Sequence, residues 1–308
     1  MENIVLSCAL DQWVEQYQQH LINVAGLQPS SCQKWTFFVR LFLSAQFKPR
    51  ATESQLCDLR PEALLEFVLQ QGEHYPPGQL QSLASALRSF CRFLCVSGSH
   101  PQDLSTALPP ISGHHREDLP TYLSPQQLKA LLSVFDRRTL LGKRDYAVVL
   151  CLARLGMRAG EVATLSLEDV DWHQGSLRLT APKGRRQRQL PLSTEVGQAL
   201  VSYLRQARPQ GPARWLFRTA DGQRRLTGGW LSRRVGSALA HAGLKTPSNR
   251  AHLLRRTFAT HLVQQGASLK AVADLLGHAS LSTTQVYAKV NLPMLRAVAQ
   301  PWPGEVGR

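Results

Sequence analysis

Apolar residues recur every three or four positions through residues 1–98, which is the spacing of one face of an α-helix. The clearest stripes are Leu10, Trp13, Val14, Tyr17, Leu21 and Val24; Trp35, Phe38, Val39 and Phe42; and Leu80, Leu83, Leu87, Phe90 and Leu94. Gly26 and Gly98 are expected to end the first and last of these helices, and Ser30 to cap the second. With a shorter helix from Pro61 to about Leu69, the pattern predicts an N-terminal helical bundle.

Proline and glycine interrupt the chain between residues 99 and 120, where no hydrophobic periodicity is visible. Such a composition is typical of a semi-rigid linker. A second domain is expected to open at Ser124-Pro125-Gln126-Gln127, because an N-cap serine, a proline at the first helical position and a glutamine at the third favour a helix start. We therefore expect a helical domain over 1–110, a linker over 111–118 and a second domain over 119–308.

The second domain is predicted to be mostly helical with one small antiparallel β-sheet. Short strands are expected at Ser176–Thr180 and Gln187–Leu192, around the cationic turn Pro182-Lys183-Gly184-Arg185. Helices are predicted at about 194–206, 227–242, 252–265, 268–276 and 281–289. The predicted fold class is thus mainly α with a small antiparallel sheet.

The charge balance points to a polyanionic partner. The chain has 36 Lys and Arg against 21 Asp and Glu, a net charge of +15 and a pI of about 10.1. Nucleic acid is the leading candidate, and an acidic membrane surface is the weaker one. No apolar run has the length of a bilayer span, and the start of the chain lacks the pattern of a signal peptide. We expect a cytoplasmic protein without a membrane partner.

The cysteines do not suggest a metal site. Cys8, Cys32, Cys57, Cys91, Cys95 and Cys151 include no Cys-x-x-Cys pair, and no histidine lies at zinc-ligand spacing from them. We expect them to be buried, reduced thiols.

Several residues of the second domain are of the types that cut a phosphodiester without a metal ion: Arg158, Lys183, His252, Arg255, His278 and Tyr287. A tyrosine is a nucleophile, arginines neutralise the charge of a pentacovalent phosphorane, and histidine and lysine transfer protons. Each residue alone also has an ordinary structural explanation. An arginine after a glycine is mostly a surface residue, an isolated tyrosine mostly packs in a core, and residues 268–277 also resemble part of a helix-turn-helix.

Local spacing supports the grouping. Gly156 can end a helix in the left-handed conformation just before Arg158, and Glu161 lies one helical turn on, where it could orient that guanidinium. His252 and Arg255 share a helix face. Further along the same helix, Phe258 and Leu262 are expected to supply the buried stripe, which makes His261 structural.

These elements together resemble the tyrosine recombinase (phage integrase) family. The matching stretches are Gly156-Met157-Arg158-Ala159-Gly160-Glu161, Pro182-Lys183-Gly184, His252 through Leu262, Leu275-Leu276-Gly277-His278 and Thr283-Thr284-Gln285-Val286-Tyr287. The likeness is close over about residues 120–290 and general over the N-terminal domain, which it identifies as a SAM-like core-binding domain. Arg256 stands where the family often has histidine, and it is expected to face away from the site.

The resemblance implies a role for each residue. Tyr287 attacks the scissile phosphate and forms a 3′-phosphotyrosyl link, while Arg158 and Arg255 bind the non-bridging oxygens. Lys183 protonates the leaving 5′-oxygen, His252 accepts the tyrosine proton, His278 donates a hydrogen bond to the phosphate and Glu161 supports the geometry. The bond energy is kept in the phosphotyrosine, so the resemblance implies no cofactor: neither ATP nor a metal is needed.

DNA contacts outside these motifs are expected from Arg185 and Arg186 at the hairpin turn, and from Arg88 and Arg92, which lie four residues apart on one helix. For Arg88 and Arg92 a solvated basic edge and a phosphate contact remain equal alternatives. The resemblance implies a two-domain, C-shaped clamp around double-stranded DNA with paired core sites, assembled as a homotetramer that exchanges strands through a Holliday junction. Its location would be the nucleoid.

Simple recombinases of this kind integrate, excise or resolve mobile elements and replicons. Two alternatives stay open: a type IB topoisomerase-like nicking-closing enzyme, and a catalytically silent DNA-binding protein of the same fold. The sequence leaves undetermined the target site, the biological process, the direction of recombination and any accessory protein.

Overall fold

The computed structural model describes residues 8–27, 29–47, 53–111, 121–179, 187–245 and 250–277, together with Thr284 and Tyr287. The chain separates into two compact units, Met1–Glu117 and Asp118–Arg308. Each unit has its own apolar core. The predicted fold class is confirmed, since the described residues are mainly helical with a three-stranded antiparallel sheet in the second unit.

The described part of the first unit contains α1 (Cys8–Asn23), α2 (Pro29–Gln46), α3 (Pro61–Gly72) and α4 (Pro77–Val96). Aromatic rings meet edge to face in its core, with 5.2 Å between the centroids of Tyr17 and Phe90. The predicted stripes therefore pack inward. Val24 is the exception: it follows the end of α1 and is 73% exposed.

Two boundaries of this unit differ from the prediction. Helix α2 begins at Pro29 and not after a Ser30 cap, which fits the preference of proline for the first helical turn. The expected linker also begins later than residue 99. Leu104 and Leu108 are buried in the core of the first unit, and Asp103 caps a short 3-10 helix, Leu104–Ala107, by accepting from the Ser105 N–H at 2.8 Å. One 3-10 turn contributes too few core residues to produce a periodic pattern.

The second unit is built around α6 (Leu140–Arg154), in which every residue from Ala147 to Ala153 is buried. Its other helices are α5 (Pro125–Ser133), α7 (Ala159–Thr164), α8 (Thr194–Gln206), α9 (Gly228–His241), α10 (Arg250–Gln264) and α11 (Leu269–Leu276). The predicted capping box at the start of α5 is confirmed: the Gln127 N–H donates to Ser124 Oγ at 3.2 Å, and the Ser124 N–H donates to Gln127 Oε1 at 2.9 Å.

The sheet of the second unit has the order β1 (Val170–Asp171), β2 (Ser176–Leu179) and β3 (Arg188–Pro191). Leu177 lies opposite Leu190, and Leu179 lies opposite Arg188. Directly opposed residues point to the same face of a sheet. The β2–β3 pairing therefore places Arg188 on the face that buries Leu177, Leu179 and Leu190.

The cysteine prediction is partly wrong. Cys32, Cys91 and Cys151 are buried, and burial raises the pKa of the Cys91 and Cys151 thiols to about 12. Cys57 is exposed and Cys95 is half-buried. A sequence without a periodic pattern around Cys57 gives no sign of which way its side chain points.

The described residues were also compared with the requirements of a metal site and of a membrane span. They contain no group of three or more His, Cys, Asp or Glu side chains that could hold a metal ion. Within the same part of the chain, no helix is both long and apolar enough to cross a membrane.

Replacing Gly156 with alanine is expected to lower the free energy of unfolding by about 2 kcal/mol or more. Gly156 has a φ of 61°, and an added Cβ would overlap the Phe258 ring and lie 2.9 Å from Leu276 Cδ2. Gly243→Ala is the matched control, because Gly243 has a φ of 68° but no atom within 4 Å of the added Cβ. Chemical denaturation measures both, and equal losses would show that crowding at Gly156 is unimportant.

Candidate active site

Arg255 lies on α10 in the interior of the second unit and is 1% exposed. Its Nη1 donates to the Gly156 carbonyl at 2.7 Å, and its Nη2 donates to the Leu276 carbonyl at 2.6 Å. Burial, followed by the charge of nearby Arg158, lowers the pKa of Arg255 to about 9. The guanidinium stays protonated at neutral pH and joins α10 to the ends of α6 and α11.

Arg158 stands directly before α7, and Glu161 holds it at two points. The Arg158 backbone N–H donates to Glu161 Oε2 at 2.8 Å, and Arg158 Nη1 donates to Glu161 Oε1 at 2.9 Å, which is the contact that the spacing predicts. Arg158 Nη2 lies 3.3 Å from the Gly277 carbonyl, to which it donates. Gly277 ends α11 in the left-handed conformation, directly after the predicted helix 268–276. The Arg158 and Arg255 guanidinium groups thus reach consecutive carbonyls, those of Gly277 and Leu276.

A third arginine, Arg188 on β3, was not anticipated from the sequence. Its Nη2 donates to Glu161 Oε2 at 2.8 Å, and its side chain is 12% exposed. The signal that could have found it is strand alternation, because Arg188 and Leu190 are two residues apart and so share a face. Two guanidinium groups, those of Arg158 and Arg188, therefore bind the Glu161 carboxylate, and the charge of Arg255 interacts with it at longer range.

His252 lies at the start of α10 and is exposed to solvent. Neighbouring protein atoms still partly desolvate the imidazole, and this desolvation, with the charges of Arg256, Arg255 and Arg158, lowers its pKa below the ordinary 6.5. A lowered pKa keeps the ring neutral at physiological pH, and a neutral imidazole can accept a proton.

Arg256 does not face away from the site as expected. It is half-buried, and its positive charge lowers the pKa of both His252 and Tyr287. The reason is helical spacing: His252 and Arg256 are four residues apart and so share a face of α10. Its Nε is buried without a hydrogen-bond partner among the described residues.

Tyr287 is 3% exposed and packs in an apolar cluster of the second unit. The other buried members of this cluster are Ala259, Val263, Val272 and Leu276. Burial raises the pKa of the phenol, against the opposing effect of the Arg255 and Arg256 charges. The Tyr287 backbone N–H donates to the Thr284 carbonyl at 3.0 Å. The Tyr287 phenol is therefore electrostatically coupled to Arg255 and Arg256.

The rest of α10 has a structural role. His261 Nε2 lies 3.0 Å from the Leu123 carbonyl, and a protonated Nε2 donates to it, in agreement with the structural role predicted. Phe258 and Leu262 pack against the apolar cluster around Tyr287 but are only partly buried, so the expected buried stripe is confirmed only in part. The apolar residues that this helix buries are Ala251, Leu253, Leu254, Ala259 and Val263.

Several predicted positions lie outside the described residues: Lys183, Arg185, Arg186, His278 and most of the predicted helix 281–289. In the first unit, Arg88 is half-buried and Arg92 is exposed on α4. Arg92 Nε donates to Ser105 Oγ at 3.3 Å. That contact does not distinguish between the two explanations of the Arg88–Arg92 pair, a solvated basic edge and a phosphate contact.

Acidification is expected to remove the contribution of ionised Glu161 to the free energy of unfolding. Burial by itself raises the pKa of this carboxyl, but the Arg158 N–H and the Arg188 and Arg158 charges outweigh it, and the net pKa lies below the ordinary 4.5. The contribution is therefore fully present above pH 4.5 and is lost as the pH falls through the lower folded-state value.

Melting temperatures of the wild type and Glu161→Gln, measured from about pH 7 to about pH 3, test this expectation. The difference in melting temperature between the two proteins should be largest near neutrality and should disappear on acidification. Glu195→Gln is the control, because the ion pair of Glu195 with Arg154 is exposed at 43% and 41% of the side-chain surface. A gap for Glu161→Gln that is constant with pH would contradict the prediction.

Comparison with known proteins shows the family to which the chain belongs. The Phage integrase family model matches residues 121–292, more than half of the chain. A protein described as an integrase/recombinase from Sinorhizobium fredii is 36% identical over 299 residues, which is 96% of this chain and 72% of that protein. The tyrosine recombinase XerD of Xanthomonas axonopodis pv. citri is 38% identical over 240 residues, which is 74% of this chain and 78% of that protein.

Solved structures share the fold. The XerH site-specific recombinase bound to a palindromic difH substrate matches with a TM-score of 0.74 at 22% identity, over 94% of this chain and 84% of that one. A lambda integrase dimer bound to a COC′ core site matches with a TM-score of 0.68 at 16% identity, over 90% of this chain and 94% of that one. The chain therefore belongs to the phage integrase family of tyrosine recombinases, whose members are site-specific DNA recombinases.

Proposed function

We propose that this recombinase cuts and rejoins double-stranded DNA at paired core sites, as a homotetramer, through a 3′-phosphotyrosine intermediate and a Holliday junction. The observation that carries the proposal is the placement of Arg158 and Arg255 on the consecutive carbonyls of Gly277 and Leu276. Arg158, Arg188 and Arg255 carry three positive charges against the one negative charge of Glu161, and this excess favours the binding of an anion. A scissile phosphate is such an anion, and planar guanidinium groups match its oxygens.

The proposed reaction assigns one step to each group. The Tyr287 oxygen attacks phosphorus and its proton passes to His252, whose lowered pKa keeps the imidazole neutral and able to accept it. The bond from phosphorus to the 5′-oxygen breaks, and Lys183 protonates the leaving oxygen. Arg158 and Arg255 stabilise the charge on the non-bridging oxygens, His278 donates to the phosphate, and Glu161 supports Arg158.

The buried position of Tyr287 adds a requirement. At 3% exposure the phenol is closed to a phosphate that approaches from solvent. We infer that DNA binding is accompanied by movement of this side chain out of its apolar cluster, so that the oxygen comes within reach of the phosphate. Attack requires contact distances of about 3 to 3.5 Å between the reacting atoms.

The basic surface is the proposed DNA-binding element. A net charge of +15 favours many phosphate contacts. Arg88, Arg92, Arg185 and Arg186 are the proposed contributors outside the reacting groups, from a helical domain over 1–110 and a catalytic domain over 119–308. The proposed setting is the nucleoid in the cytoplasm, and the proposed role is integration, excision or resolution of a mobile element or replicon.

Covalent trapping tests the proposal. The purified chain is incubated in EDTA with nicked duplexes that tile the DNA flanking its gene, and denaturant-resistant adducts are isolated. We expect a DNA 3′ end attached to the peptide that contains Tyr287, followed by Holliday junctions between paired sites. Adducts without junctions would indicate a topoisomerase-like enzyme. Site-specific binding without adducts would indicate a silent DNA-binding protein, and a strict need for added Mg²⁺ would contradict the metal-free chemistry.

A further inference from the structure

Arg188 is enclosed at the point where three parts of the second unit meet. It opens β3, and its side chain is 12% exposed. Its Nη2 donates to Glu161 on α7, and its guanidinium also lies against Gly277 at the end of α11. A Cβ added to Gly277 would overlap Arg188 Nη1, so only glycine leaves room for the guanidinium beside this turn.

Glu161 divides its two oxygens between the arginines. Oε1 accepts from Arg158 Nη1 at 2.9 Å, whereas Oε2 accepts from Arg188 Nη2 at 2.8 Å and from the Arg158 N–H at 2.8 Å. A carboxylate held at both oxygens by charged donors cannot rotate freely. Arg188 thus adds a charged donor at Oε2 to the carboxylate that orients Arg158.

Arg188 also contacts the turn at Gly277, whose carbonyl is the second acceptor of the Arg158 guanidinium. Arg158 Nη2 donates to the Gly277 carbonyl, and the Arg188 guanidinium packs against the Gly277 Cα side of that residue. Loss of Arg188 would remove the charged donor of Glu161 Oε2 and the guanidinium that packs against the Gly277 turn. Glu161 and the Gly277 carbonyl are the two supports of the Arg158 guanidinium.

We propose that Arg188 is a positioning residue for strand cleavage, which acts through Glu161 and Gly277 to hold Arg158 in place before the scissile phosphate arrives. The inference rests on the proposed function, since it assigns a support to the proposed phosphate-binding arginine. Arg188 acts on the phosphate indirectly, because its Nη2 donates to Glu161 and its side chain is largely closed to solvent.

The test is single-turnover cleavage of the trapping substrate by the wild type, Arg188→Gln and Arg188→Lys. We expect Arg188→Gln to cleave roughly 10- to 100-fold more slowly at saturating DNA, because small misplacements of a reacting group are costly, with little change in the DNA concentration for half-maximal rate. Arg188→Lys should recover part of the rate, since a lysine keeps the charge and one donor to Glu161. Melting curves set a temperature at which every variant is folded.

A scissile methylphosphonate separates positioning from a general structural defect. This group lacks the charge of a non-bridging oxygen, so cleavage depends less on Arg158, and the deficit of Arg188→Gln should shrink. Arg154→Gln is the matched control, since it removes another arginine–glutamate pair, Arg154 to Glu195 at 2.9 Å, and should cleave at the wild-type rate.

Each outcome decides one of the two proposals. A wild-type chain that forms no adduct overturns the proposed function and this inference with it. If the wild type forms adducts and folded Arg188→Gln cleaves at the same rate, the inference alone is overturned. The same holds if Arg188→Gln shows an equal deficit on phosphate and methylphosphonate, or if Arg188→Lys shows no recovery.

Discussion

Tyr287→Phe is expected to abolish covalent attachment to DNA, with a loss of at least about a thousand-fold in cleavage, because no other group replaces a deleted nucleophile. DNA binding should remain, since the substitution removes one oxygen and keeps the ring. Stability should also change little, because the ring packs among apolar side chains. Adduct formation on denaturing gels and DNA binding at equilibrium measure the two effects separately.

Tyr203→Phe is the matched control for this prediction. Tyr203 is another fully buried tyrosine of the second unit, and its hydroxyl accepts from the Arg218 N–H at 3.3 Å. Its phenylalanine variant should still form adducts at the wild-type rate. Adducts from Tyr287→Phe at a wild-type level would exclude Tyr287 as the nucleophile.

Arg255→Ala is expected to lower cleavage by about a hundred- to a thousand-fold, the usual effect of removing one donor that stabilises transition-state charge. It should also destabilise the second unit by about 1 to 3 kcal/mol, because the Gly156 and Leu276 carbonyls lose their buried donors. Cleavage is therefore measured per folded molecule, at a temperature set by melting curves.

Arg218→Ala separates the two effects of Arg255→Ala. Arg218 is 4% exposed and donates to the carbonyls of Pro209, Gln210 and Gly222, so it is a second buried arginine capped by peptide oxygens. Its alanine variant should lose similar stability but cleave normally when folded. If Arg255→Ala behaves in the same way, Arg255 is a structural residue and not a phosphate ligand.

The sequence by itself determined the fold class and most helix positions. Its periodic apolar stripes mark faces that must be buried, and local signals such as the Ser124–Gln127 capping box act over one turn and need no distant partner. The Arg158–Glu161 contact belongs to the same class, since residues three apart at a helix start are neighbours in any fold. The order of the short motifs likewise pointed to the family that the comparisons confirmed.

Only the tertiary structure decided how these local pieces meet. Arg188 reaches Glu161 from 27 positions away, and Arg255 reaches Gly156 from 99 positions away. The burial of Tyr287 and the inclusion of Leu104 in the first core are further examples. The physical reason is common to all of them. Periodicity reports which face of an element is apolar, whereas a polar contact between distant elements depends on packing that no local pattern encodes.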